Sequence, residues 1–185
     1  MTEPRLTDDG LRQLILVSRF SSPASRPDEE ERWIKKIPLI ALVARGVTAG
    51  TFRNYDLAPS IIDYQGDTFF ANVSKEGEDD VTDLRRMGYL ERLKLATKHH
   101  YYVSAYRVTR AGMDVVEAAD RGHHRAVDQL LSCRKCGGQV EVLTRPDSPY
   151  LLCRECDATE KIPIFEIEEV PYVTSPLFPE IWLPR

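Results

Sequence analysis

Four cysteines arranged in two pairs carry the clearest chemistry in this sequence. They are Cys133, Cys136, Cys153 and Cys156, and the chain contains no other cysteine. The C-x2-C-x16-C-x2-C spacing falls in the range that is typical of a zinc site. Two intervening residues allow a tight turn to direct both sulfurs of a pair at one point, and Zn²⁺ prefers four thiolates in a tetrahedron. The pattern predicts one structural zinc ion, held by all four cysteines.

Three other roles for these cysteines fit the sequence less well. Disulfides require an oxidising compartment, and the N-terminus lacks the charged-then-apolar pattern of a secretory signal. A redox C-x-x-C motif would be a single pair near a βαβ unit. A catalytic zinc needs an open coordination position, which four thiolates do not leave. We therefore expect a structural metal in a reducing compartment, and a cytoplasmic protein.

The residues around the two pairs indicate a small β-structure. Gly137 and Gly138 follow the first pair, where the chain needs a positive φ or a close approach to the metal. Residues 139–144 alternate between apolar and polar side chains, a proline-containing turn follows, and residues 150–152 lead into the second pair. This order of strand, turn, strand and cysteine pair predicts a zinc ribbon.

Composition and charge restrict the class of protein. The chain has 185 residues, of which 42% are hydrophobic and 29% charged, as in a soluble globular protein. Its longest apolar stretch, residues 37–44, contains a proline and is too short to span a bilayer. The formal net charge of −4 argues against a protein that coats nucleic acid non-specifically, because phosphate binding needs clustered cations. A local basic surface remains compatible with this charge.

Apolar periodicity and capping residues predict helices over residues 7–20, 28–46, 74–88, 109–119 and 123–131. Pro38 should kink the second helix or separate two helices. Alternating side chains predict strands over residues 89–96 and 101–108, joined by a polar turn. Residues 47–73 are ambiguous, since residues 59–64 fit either a helical turn or a short strand.

Two stretches carry a family resemblance. They are Asp83-Leu-Arg-Arg-Met-Gly-Tyr-Leu90 and Tyr106-Arg-Val-Thr-Arg-Ala-Gly112. Together they resemble the second half of a winged-helix domain, in which a helix and a hairpin precede a final helix. With the cysteine pairs behind it, the layout is similar to that of transcription factor E-like proteins of archaea and eukaryotes. The resemblance implies an α+β protein that binds DNA or is associated with transcription.

On this interpretation the chain has three parts. Residues 1–131 form a winged helix-turn-helix domain with an N-terminal helical extension, residues 132–163 a small C4 zinc ribbon, and residues 164–185 an extended tail. In winged-helix domains the helix before the hairpin enters the major groove of DNA. Here that helix has an acidic first half, whereas the hairpin is basic. The expected contacts to duplex DNA are therefore Arg85, Arg86, Arg92, Lys94, Lys98, Arg107 and Arg110.

The C-terminal tail is too apolar for a free linker. It either lies back over its own domain or binds a protein partner through aromatic anchors, and the sequence leaves both open. The anchors would be Phe165, Tyr172, Phe178 and Trp182. No glycine-rich phosphate loop, H-E-x-x-H motif or nucleophile elbow is present, so we expect no enzyme. A protein-interaction adaptor is the alternative to DNA binding, and the oligomeric state stays open.

Overall fold

A computed structural model describes residues 5–23, 31–64, 67–96, 102–144, 149–162, 164, 173–174 and 182–183. These residues form an α+β fold, which confirms the predicted class at that level. The helices are α1 (Asp8–Phe20), α2 (Lys36–Thr48), α3 (Lys75–Arg86), α4 (Arg110–Ala118) and α5 (Arg121–Leu130). The strands are β1 (Ile34–Lys35), β2 (Ala58–Tyr64), β3 (Asp67–Val73), β4 (Leu90–Ala96), β5 (Tyr102–Val108), β6 (Val140–Thr144), β7 (Pro149–Cys153), β8 (Thr159–Lys161), β9 (Val173–Thr174) and β10 (Trp182–Leu183).

The described strands form four small antiparallel sheets. One sheet has the order β1-β5-β4, in which Ile34 lies opposite Tyr106 and Leu90 lies opposite Val108. The β2–β3 hairpin stands between α2 and α3, and β9 pairs with β10. The last sheet, β6-β7-β8, contains or adjoins all four cysteines. We call residues 132–162 the β-module.

Three helices begin where the sequence predicts a capping residue. The side-chain oxygens of Thr7, Ser74 and Thr109 each accept a hydrogen bond from the backbone N–H three residues later, at 2.8, 3.1 and 3.0 Å. Each cap satisfies a donor that the first helical turn leaves without a partner. At the other end of α3, Gly88 has φ +77°, as expected for a glycine that ends a helix.

The second predicted helix starts later than the sequence indicates. Residues 34–35 form β1, and α2 begins at Lys36. The expected kink at Pro38 is wrong, because Pro38 lies in the first turn of α2 and its missing N–H would have no intrahelical acceptor there. Ile34 therefore lies in β1 and Trp33 directly before it, and neither belongs to the apolar face of a helix.

The ambiguous stretch contains the β2–β3 hairpin. Ile62, Ala71 and Val73 are buried in the core. On the other face, Ile61 lies opposite Phe70, and these side chains are 66% and 56% exposed. The hairpin therefore contributes one face to the core and presents an apolar pair on the other.

Buried side chains join the helices to one another and to the β-module. A single cluster includes Leu14 and Leu42 from the helices and Leu151 and Ile162 from the β-module. A polar network adds to it, since the Tyr55 hydroxyl lies 2.5 Å from Asp80 Oδ2 on α3 and 3.0 Å from Gln13 Oε1 on α1. Helix α1 is thus part of the common core.

Helix α4 requires a glycine at position 112, three residues after the cap Thr109, because its first turn lies close to the backbone of Tyr89. Thr109 donates its backbone N–H to the carbonyl of Tyr89 at 2.9 Å and its hydroxyl to the carbonyl of Gly88 at 2.7 Å. This brings α4 so close to the start of β4 that a Cβ on Gly112 would overlap the Tyr89 carbonyl oxygen. The close approach fixes the angle at which α4 leaves the sheet.

Replacing Gly112 with alanine should lower the free energy of unfolding by roughly 1–3 kcal/mol, because backbone cannot move aside as a flexible side chain can. Gly122→Ala in α5 is the matched control, since its Cβ would meet only the carboxylate of Asp120. Urea denaturation followed by circular dichroism measures both. Equal stabilities of the two variants would contradict this explanation of Gly112.

Candidate metal centre and basic groove

The two cysteine pairs form two similar turns. The N–H of Cys133 donates to the carbonyl of Gly138 at 2.7 Å, and the N–H of Cys153 donates to the carbonyl of Ala158 at 2.9 Å. The residue after the second cysteine of each pair has a positive φ, +79° at Gly137 and +53° at Asp157. The first of these confirms the predicted role of glycine. The second shows that an aspartate adopts the same conformation, which Asp tolerates better than most residues.

The four sulfur atoms converge on one point. All four lie within 4.8 Å of one another. Cys133 Sγ and Cys156 Sγ are 3.7 Å apart, and Cys136 Sγ and Cys153 Sγ are 3.5 Å apart. A tetrahedron with metal–sulfur bonds of about 2.3 Å has sulfur–sulfur edges of about 3.8 Å. The geometry therefore fits one metal ion with four cysteine ligands.

Backbone amides around the centre donate to the sulfurs and favour the ionised form of Cys133, whereas contacts with neighbouring sulfurs raise the pKa of Cys136 and Cys156. The N–H of Lys135 donates to Cys133 Sγ, and the N–H of Gly138 donates to Cys136 Sγ, both at 3.4 Å. Hydrogen bonds from the backbone of Cys136 and Lys135 lower the pKa of Cys133 to about 7. Because metals bind the thiolate, such donors reduce the cost of deprotonation.

The β-module is attached directly to the helices. Cys133 comes three residues after the end of α5, and the N–H of Val140 donates to the carbonyl of Leu131 at 3.0 Å. On α2, Arg45 forms an ion pair of 3.1 Å with Glu160 of β8, although its side chain is only 7% exposed. The sequence signal for this contact is an arginine directly after the apolar stretch 37–44, but nothing local identifies its partner.

The predicted basic residues of the β4–β5 hairpin lie on two different faces. Arg92 lies opposite Tyr106 and Lys94 opposite Ser104, so both belong to one face. Arg107 lies opposite Glu91 on the other face. The sequence prediction treated the hairpin as one basic surface, whereas the pairing register separates Arg107 from the other two.

Arg107 is engaged by its own domain. It forms ion pairs with Glu31 at 2.5 Å and Glu91 at 2.8 Å, and its guanidinium carbon lies 4.5 Å from the centre of the Trp33 ring. The hydrogen bond from Arg107 holds the pKa of Glu31 below its usual range. These contacts connect the segment before β1 to the middle of the sheet. Arg107 is consequently a poor donor for phosphate.

Arg85 and Arg92 border the same groove. This groove, of about 230 Å³, lies between α2, α3 and the β1-β5-β4 sheet, and its floor includes Leu39, Val43 and Tyr106. Arg92 donates to the Ser104 hydroxyl at 2.9 Å. Within the part of the chain that the structure describes, neither Arg85 nor Arg92 has a carboxylate partner.

The acids of α3 are all engaged within the molecule. Glu78 pairs with Lys36 at 2.8 Å, and Asp79 pairs with Lys75 at 2.9 Å. The remaining carboxylates accept hydrogen bonds from neighbouring side chains. Ser74 donates to Glu76, and Thr7 and Tyr55 donate to Asp80. Arg86 donates to Asp83. The groove is thus less acidic than a count of charges along α3 indicates.

The other predicted site residues are placed as follows. Arg86 pairs with Asp83 at 3.2 Å, and Arg110 and Lys94 are exposed. Lys98, Phe165, Tyr172 and Phe178 lie outside the described residues, and Trp182 lies in β10 opposite Thr174. None of the helices in the described ranges has the length and hydropathy that crossing a bilayer requires.

Removing the metal should destabilise the whole chain and not the β-module alone, because both share one core. We expect the helical signal at 222 nm to melt at a clearly lower temperature after treatment with a strong chelator, in one transition. Readdition of the metal should restore the original melting curve. A helical transition that does not respond to the chelator would contradict the shared core.

Comparison with known proteins places this arrangement in a family. A search of curated proteins found no match. A family match covers residues 9–161, from the second residue of α1 to the last residue of β8, and so includes the groove and all four cysteines. The chain belongs to the uncharacterized protein MJ1567 family.

Proposed function

We propose that this protein is a winged-helix DNA-binding protein, associated with transcription, whose β-module is a zinc ribbon with a structural role. Two observations support the winged-helix part. The order α1, β1, α2, α3, β4, β5 along the chain and the order β1-β5-β4 across the sheet are those of a winged helix with the β2–β3 hairpin inserted before α3. Thr109 and Gly112 also occupy the expected positions at the start of the final helix.

Zinc is the metal that best suits the centre. Four thiolates in a tetrahedral arrangement are a common zinc site, and they leave no position open for catalysis. Elemental analysis of the reduced, purified chain should give one zinc per molecule. Cys136→Ser should lose most of it, while Ser132→Ala beside the centre should keep it. A stoichiometric metal other than zinc, or none, would refute this assignment.

The observation that carries DNA binding is the position of Arg85 and Arg92 on one groove, with Lys94 on the same face of the hairpin. In this arrangement α3 would face the major groove and the hairpin would follow the neighbouring backbone. The three cations would contact phosphates, which gives affinity with little sequence preference. Pairing of Glu78 and Asp79 with lysines reduces the repulsion that those carboxylates would exert on DNA.

A salt titration of duplex DNA binding tests this surface. Each phosphate contact contributes roughly 0.9 to the slope of log affinity against log salt. Replacing Arg85, Arg92 and Lys94 with alanine should therefore reduce the slope by about 2 to 3 and weaken binding strongly at low salt. Fluorescence anisotropy with a labelled duplex measures both quantities.

The control variant replaces Arg53, Lys135 and Arg154, which are exposed and lie away from the groove, so that the net charge changes equally. It should bind almost as well as the unmodified chain. Equal slopes for the two triple variants would reject the groove as the DNA-binding surface.

A protein-interaction module is the second candidate, and the Ile61–Phe70 pair favours it. Two large apolar side chains that face each other across a hairpin, each more than half exposed, are more typical of a contact surface than of a solvated strand. A chain without salt-dependent DNA binding would leave this as the better supported function.

A further inference from the structure

The groove bordered by Arg85 and Arg92 has room for a small molecule. Its volume of about 230 Å³ equals that of roughly seven water molecules at ~30 Å³ each. Apart from Ser74, the cap of α3, every side chain that lines it belongs to a helix or a strand. The groove is therefore formed by regular elements before any ligand enters, as is usual for small-molecule sites.

Apolar side chains form the floor of the groove. Leu39, Ile40 and Val43 come from α2, Val81 from α3 and Tyr106 from β5. Each of these residues is at most 8% exposed. Contact with the apolar part of a ligand would remove water from this floor, which favours binding.

Two arginines at one end of the groove have donors available. Arg85, in the last turn of α3, makes no hydrogen bond or ion pair within the part of the chain that the structure describes. Arg92 uses Nε and Nη2 for the Ser104 hydroxyl, at 3.2 and 2.9 Å, which leaves Nη1 available. A planar carboxylate matches the fork of donors that a guanidinium presents. This end of the groove thus favours a carboxylate.

The charge around the whole groove also favours an anion. Among the described side chains that line it, cations outnumber carboxylates by two. The cations are Lys36, Lys75, Arg85 and Arg92, and the carboxylates are Glu78 and Asp79. Both carboxylates are paired with lysines, so neither draws on the two arginines.

A buried glutamine places a neutral polar group further along the groove. Gln13 of α1 is 1% exposed and lines the groove. One polar atom of its amide lies 3.0 Å from the Tyr55 hydroxyl, which contacts Asp80 of α3 at 2.5 Å. The other polar atom of the amide has no hydrogen-bond partner among the described residues. Because a buried polar group without a partner is costly, a ligand atom that pairs with it gains affinity.

The position of Gln13 determines the shape and chemistry of a ligand that reaches both ends. Asp80, which shares Tyr55 with Gln13, precedes Arg85 by five residues, or about 7.5 Å along the axis of α3. An elongated ligand is therefore required. A hydroxyl suits the Gln13 end, since it both donates and accepts and can pair with either polar atom of the amide. A second carboxylate does not, because Glu78 lines the groove and Asp80 contacts the same tyrosine.

We propose that this groove binds a small, elongated carboxylic acid with an apolar body and a hydroxyl at the far end. The carboxylate pairs with Arg85 and Arg92, the body covers the floor, and the hydroxyl pairs with the amide of Gln13. This site goes beyond the proposed function, because it requires no DNA. Its test uses none, so each of the two proposals can fail without the other.

NMR titration of the isotope-labelled, metal-loaded, full-length chain tests the site with matched probes. The probe ω-hydroxyhexanoate has all three features, while glycolate lacks the apolar body, hexanediol the charge and hexanoate the hydroxyl. The full probe should bind at least ~10-fold more tightly than glycolate or hexanediol. It should also bind several-fold more tightly than hexanoate, whose methyl group leaves the Gln13 amide without a partner. Equal affinity for the full probe and hexanediol would overturn the proposal, as would the absence of saturable shifts at Val43 and Val81.

Two neighbouring arginines provide matched variants. Arg85→Ala should weaken binding of ω-hydroxyhexanoate by roughly 10-fold and leave binding of hexanediol unchanged. Arg86→Ala is the control, because Arg86 carries the same charge, pairs with Asp83 and does not line the groove. Equal effects of the two variants would show attraction by net charge alone and would overturn the carboxylate site.

Gln13→Leu tests the far end of the ligand. This variant should lose the preference for ω-hydroxyhexanoate over hexanoate while still binding hexanoate. A preference that survives would overturn the role of Gln13. If the variant does not fold, the side-chain amide signals of Gln13 in the unmodified chain decide. They should shift more with ω-hydroxyhexanoate than with hexanoate, and equal shifts would overturn the proposed orientation.

Discussion

Four sulfur atoms within 4.8 Å of one another are the constraint on which the β-module depends. As thiolates they repel each other, and a cation at their centre converts that repulsion into attraction. The β-module is too small to stabilise itself by burial alone. Because its apolar residues belong to the same cluster as those of α1 and α2, the stability of the helices is coupled to the state of the cysteines.

Much of this centre is predictable from the sequence because its determinants are local. A C-x-x-C pair specifies a turn, and Gly137 specifies the positive φ that follows. The caps at Thr7, Ser74 and Thr109 are local for the same reason, since each needs only an N–H three residues away. Strands β4 and β5 follow from alternation over seven residues each.

The remaining features depend on partners that are distant in sequence. A strand of two residues such as β1 has no periodicity, and it exists because Ile34 pairs with Tyr106 and Glu31 reaches Arg107. Pairing between residues that are distant in sequence also determines which charged side chains remain available to a ligand. Arg107 appears cationic in the sequence but is satisfied in the fold, and Glu78 appears repulsive but is paired with Lys36. Counting charges along an element overestimates those that remain available to a ligand.

The sequence predicts a domain boundary at residue 131, but in the structure buried residues on both sides of it belong to one cluster. Arg45 of α2 is nearly buried and its charge is compensated by Glu160 of the β-module. Removing Glu160 would leave Arg45 as an uncompensated charge at low exposure, which costs more than an exposed pair contributes. Glu160 itself is more exposed and also pairs with Arg134 at 3.4 Å. Just after the β-module, the carbonyl of Ile164 accepts a hydrogen bond from the N–H of Asn72 in the β2–β3 hairpin, which in turn leads into α3. The β-module and the groove are therefore connected through the hydrogen bond between Ile164 and Asn72 and through the chain that leads from β3 into α3.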